Sequence, residues 1–215
     1  MAASNTRIIS TFAISGMVSG LLIIPLAWLW VPLVFGAEGT LFAIGFTAAY
    51  LVCQRSLPRT DAFQFGLLLL VLVLGFPLAI VFGAALALGT QFLLLGAQSA
   101  SPWLADNSPL VMMALMLFWG ALAAAMFVNM ALALLTAEWD NRIFRLLLLA
   151  ALTTAAVSFA FYLPAYASEN PLVVRYRELA LFAVLSPLGN AVMGTICGIA
   201  LLRAMPASST AAGAG

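Results

Sequence analysis

The chain has 215 residues, 65% of them hydrophobic and 7% charged, with a formal net charge of +1. Soluble domains average roughly 45–50% apolar and about 25% charged residues, so a soluble globule is excluded: it could not cover its surface. Disorder, a collagen repeat and nucleic-acid binding are excluded too, because each needs a polar, periodic or basic bias that is absent here.

The composition implies an all-α, polytopic integral membrane bundle. About 20 apolar residues are needed to cross roughly 30 Å of hydrocarbon, and the apolar segments predict six spans, at 8–31, 38–53, 62–88, 110–137, 142–166 and 178–203. The first is too long for a signal-peptide core, and bulky Phe35 precedes the cut that Ala37 would suggest, so an uncleaved helix is expected. The second is the shortest. In the third, residues 67–74 are all Leu and Val, which predicts a lipid-facing helix, and the apolar continuation to Gly96 is expected at the interface. Residues 99–108 read as an outer loop.

Residues 137–141 read as a tight turn with Asp140 or Asn141 capping the fifth span. Asp61, beside Arg59, reads as a local cap or charge partner at the start of the third. Asn170 followed by Pro171 reads as an N-cap and first helical residue. A helix from there to Arg203 would measure about 50 Å, so either its first turns lie outside the bilayer or it breaks at Pro187. Residues 1–205 thus form one expected transmembrane domain, and the small, uncharged tail 206–215 is expected to be disordered.

All eight basic residues are arginines. With the N-terminus inside, Arg7, Arg55, Arg59, Arg142, Arg145 and Arg203 fall on the cytoplasmic side, and Arg175 and Arg177 outside. This bias predicts six spans with both termini cytoplasmic, and the short loops suit a bacterial inner membrane.

With no histidine or lysine, histidine-ligated haem, zinc or copper, Ser–His hydrolysis, Schiff-base chemistry and a P-loop lysine are all excluded. Cys53 and Cys197 are too few for a metal site or a disulfide framework, and both read as packing residues. No cofactor is expected, and an enzyme stands third behind two non-catalytic readings, because acid–base residues are missing from the interior. All seven acidic residues read as lying at span ends or in loops. That placement argues against a proton pump, a carboxylate-driven antiporter or a voltage sensor.

The predicted interior is small and polar. Gly16-xxx-Gly20, Gly194-xxx-Gly198 and the alanine steps around Asn129 suit close helix packing. Counted from the span centres, Ser19, Thr47, Thr154 and Asn190 fall near the midplane beside Pro187, the kind of place where transporters hold solute. Gly75-Phe76-Pro77-Leu78-Ala79 echoes Leu185-Ser186-Pro187-Leu188-Gly189, as an inverted three-plus-three repeat would. Outside, Arg175, Arg177 and Glu178 read as interfacial anchors, with Arg175 and Glu178 paired, or else as a site for an anionic ligand or a subunit. Two functions remain: a small permease or solute-binding membrane subunit with a neutral polar midplane site, or a non-catalytic accessory or assembly subunit of a larger membrane complex. The expected partners are the lipid bilayer and a second copy or a membrane subunit, not nucleic acid.

Overall fold

The computed structural model describes residues 2–29, 31–57, 61–136 and 139–204. Its described residues form seven α-helices: α1 (Ala2–Leu29), α2 (Val31–Cys53), α3 (Ala62–Ala100), α4 (Pro102–Asp106), α5 (Ser108–Thr136), α6 (Asn141–Tyr166) and α7 (Pro171–Arg203). One 3-10 turn, Gln54–Ser56, follows α2. Five segments are long and apolar enough to cross a membrane: Asn5–Leu26, Ala62–Gly96, Ser108–Thr136, Asn141–Tyr166 and Leu181–Arg203. They are apolar on every side, and large side chains such as Leu22, Val81, Phe92 and Leu149 face outward. Lipid accepts such a surface and water does not.

Polar chain ends set the helix starts. The Asp140 carboxylate accepts from the Arg142 and Ile143 amides and caps α6. Asp61 accepts from the Phe63 amide at 3.1 Å and caps α3. Asn170 accepts from the Leu172 amide at 3.0 Å, with Pro171 in the first turn of α7. Each side chain satisfies a donor that the first helical turn leaves free.

The six long helices close into a ring. Each packs on the next in chain order, with the short α4 between α3 and α5, and α1 closes the ring against α7 in the most extensive interface. No direct packing joins α3 to α6 or α7 among the described residues. The shared core includes Phe12, Phe42, Phe46, Leu68, Leu147 and Leu201. Phe12 meets Phe46 edge-on at 5.2 Å, and Phe42 meets Phe76 at 5.5 Å, tying α1 to α2 and α2 to α3.

Glycines set the closest approaches. A Cβ on Gly16 would overlap the Asn190 carbonyl oxygen, one on Gly20 the Ser186 carbonyl, and one on Gly194 the Phe12 carbonyl. Residue numbers rise along α1 as they fall along α7, so the two helices run antiparallel. The α3–α5 pair touches the same way, since a Cβ on Gly83 would lie 2.8 Å from the Gly120 nitrogen.

Four expectations change. The helix α2 starts at Val31, not at 38, because residues 31–37 form its first two turns with Pro32 at the start, where proline's missing amide costs nothing. The helix α3 does not stop near 88 but continues to Ala100, and much of the expected outer loop is α4. Its Leu/Val run is not a purely lipid-facing stretch: Leu68 and Leu72, one turn apart, are buried in the core while Leu70 and Leu74 are exposed. Uniformly apolar sequence cannot mark which side faces inward. Finally, α7 does not break at Pro187 but runs unbroken through it from Pro171 to Arg203. Proline is tolerated within membrane helices where neighbouring packing offsets the lost hydrogen bond, and here Gly20 of α1 lies directly against Ser186 and Pro187. The tail 206–215 lies outside the described residues.

Candidate functional site

Residues of α2, α3, α5, α6 and α7 line a partly open cavity of about 270 Å³. Its wall is almost wholly apolar, from Phe76 and Ile80 on α3, Met113 and Met116 on α5, and Phe182 and Met193 on α7. Three polar side chains reach it: Glu38, Thr154 and Asn190.

Each owes its place to local geometry. Thr154 and Asn190 are buried, at 4% and 2% exposure. Gly189 brings α7 close enough that a Cβ there would lie 3.5 Å from the Thr154 methyl. On α7, Ser186 and Asn190 are one turn apart and share a face. On α6, Thr154 and Ser158 do the same. The Asn190 amide nitrogen, Ser186 Oγ, Ser158 Oγ and the Asn129 amide nitrogen are buried without a hydrogen-bond partner among the described residues. A buried donor left unpaired costs about 1–3 kcal/mol; of these four groups only the Asn190 amide belongs to a residue of the cavity wall.

Of the expected midplane cluster, Thr154 and Asn190 come together and Ser19 and Thr47 do not. Ser19 is buried, and its hydroxyl donates to the Gly16 carbonyl at 2.7 Å within α1. Thr47 is half-buried, and its hydroxyl donates to the Ala43 carbonyl at 2.8 Å within α2. Neither lines the cavity. Both bond inside their own helix, as serine and threonine do when no better acceptor faces them. Pro187 is half-buried on α7 and Ala183 does not reach the cavity wall.

In the charged segment expected outside, the Arg177 guanidinium lies 5.5 Å from the Tyr166 ring centre, joining α7 to α6. The side chains of Arg175 and Glu178, and so their expected pairing, lie outside the described residues. Cys53 and Cys197 are both free and buried.

Glu38 was missed as a site residue. Placing the second span at 38 put this acid at a helix end, whereas α2 begins seven residues earlier. Glu38 is four residues from the helix midpoint, about 6 Å by helical rise, and is 7% exposed. It lies against the Ser186 hydroxyl, which makes no hydrogen bond of full geometry. Gly39 beside it seats α2 on α3, where a Cβ would lie 2.6 Å from the Val73 carbonyl oxygen. The available signal was Pro32: a proline so soon after Leu29 and Trp30 marks a helix start.

The chain is a multi-pass, α-helical integral membrane protein. No protein-family model, curated protein or solved structure matches it.

Proposed function

We propose that this protein is a small permease or solute-binding membrane subunit whose site is the interior cavity. The observation that carries the reading is the cavity itself: it reaches Asn190 and Thr154, both buried, and the Asn190 amide nitrogen has no partner among the described residues in an otherwise apolar wall. Binding sites are typically apolar hollows with a few placed polar groups, at roughly 300–1,000 Å³, so a compact solute suits this one. The two Pro-Leu-small segments support it, since Phe76 and Ala79 face Leu185 and Gly189 across the same space.

The threading belongs to the same proposal. The helix α2 counts as the sixth span, because 23 residues measure about 34 Å. An even number of crossings agrees with antiparallel α1 and α7, and the arginine bias puts both termini in the cytoplasm of a bacterial inner membrane. Residues 1–205 act as one domain. Thiol labelling tests the site. In a chain with Cys53 and Cys197 replaced by alanine, single cysteines at Ala121, Ala151 and Gly189 react with a small water-soluble maleimide, and one at fully buried Ala125 does not. Equal silence at all four positions would mean a solid bundle and would sink the solute-site reading.

A second reading, an accessory subunit, draws on α3. Among the described residues nothing lies within 4 Å of a Cβ on Gly89, so its helix face is open to close approach. That face would admit another helix closely, and co-purification of a stoichiometric subunit in mild detergent would favour this role.

A further inference from the structure

Glu38 is a buried carboxyl, near the middle of its helix, opening onto an apolar cavity. Among the described residues no arginine lines that cavity, and no second titratable group does so from α2, α3, α5, α6 or α7. A carboxyl so placed carries either a proton or a counter-cation, because an isolated charge away from water is too costly. The surroundings decide which cation fits. A hard metal ion wants six or more oxygens. The wall offers one carboxyl, one amide and one hydroxyl, and no group of three metal-binding side chains occurs among the described residues. What it offers in quantity is Phe76, Phe182, Met113, Met116 and Met193. Aromatic faces attract organic cations, and thioethers adapt to irregular apolar shapes.

We propose that the cavity binds a compact lipophilic organic cation, an ammonium group on an aromatic or branched alkyl body, with Glu38 as its counter-charge. The Asn190 side-chain amide and the Thr154 hydroxyl orient the charged end, and the phenylalanines and methionines hold the apolar one. The proposal rests on the solute-site reading and narrows its substrate class.

The test uses the full chain in lipid nanodiscs, with phenyltrimethylammonium as probe, its uncharged isostere tert-butylbenzene as control, and empty nanodiscs as blank. Equilibrium dialysis is expected to show saturable binding of one cation per chain. Glu38→Gln should weaken cation binding about tenfold or more and leave tert-butylbenzene unchanged, and Glu38→Asp should retain most of the cation affinity. Equal affinity for the two probes in the wild-type chain, full cation affinity in Glu38→Gln, or no cation binding at all would each overturn the proposal. Should Glu38→Gln fail to fold, the wild-type ratio of cation to isostere decides. Thiol labelling separates the two levels: a labelled cavity that ignores the cation leaves the solute-site reading standing, and an unlabelled one removes both.

Discussion

Gly16 and Gly194 have no room for a methyl group, because the carbonyl of the facing helix occupies the place where it would stand. Gly16→Ala or Gly194→Ala should therefore destabilise the bundle by about 1–3 kcal/mol, as overpacking does. Gly89→Ala, with nothing within 4 Å, should leave stability unchanged or raise it slightly through helix propensity. Thermal unfolding in detergent, with retained size-exclusion behaviour as the check on fold, distinguishes them; equal losses at all three positions would contradict the close α1–α7 approach. The glycine pairs were legible as close-packing motifs, but their partners were not: a small residue says that something comes near without saying what. Thr154 and Asn190 were legible as buried polar groups because polar residues in apolar helices rarely face lipid. Ser19 and Thr47 have the same chemistry and differ only in rotation about their helices, which sequences apolar on all sides do not encode.

Among the elements, helix starts were the most readable feature, since caps are written in local polar residues. Asp140→Ala removes the acceptor for two amides at the head of α6 and should cost about 1 kcal/mol, read as a lower unfolding temperature; Asp140→Asn or Asp140→Ser should recover most of it. A loss-free Asp140→Ala would mean that water or headgroups serve those amides instead. Stops were less readable. The helix α3 runs for 39 residues, about 58 Å by helical rise, because nothing between Gly89 and Ala100 breaks a helix strongly enough. The helix α2 was mistaken for a short segment because Leu29, Trp30 and Val31 join two apolar runs without a polar marker. That single misplaced start hid Glu38.

For the molecule as a whole, composition was enough to establish a helical membrane protein, and the ring could not be deduced from it. Neighbour relations between apolar helices depend on side-chain shape and glycine register. The antiparallel contact of α1 with α7 places residues near Arg7 and near Arg203 at the same end of the bundle. Site-specific labels on Asn5 and Arg203 should therefore react from the same face of a sealed vesicle. Reaction from opposite faces would be incompatible with that packing and with an even number of crossings. Six arginines assigned to that same face make the cytoplasmic side the expected one.

The contact between the first long helix and the last also has a consequence for biogenesis. Gly16 leaves the ribosome 174 residues before Asn190, its partner. At about 5–20 residues per second, that is a wait of roughly 9–35 s. Until α7 arrives, α1 has only α2 to pack on and the cavity lacks the wall that carries Phe182, Asn190 and Met193. A nascent chain stalled before that point lacks this hollow, so any site it forms exists only once synthesis has reached the helix that closes the ring.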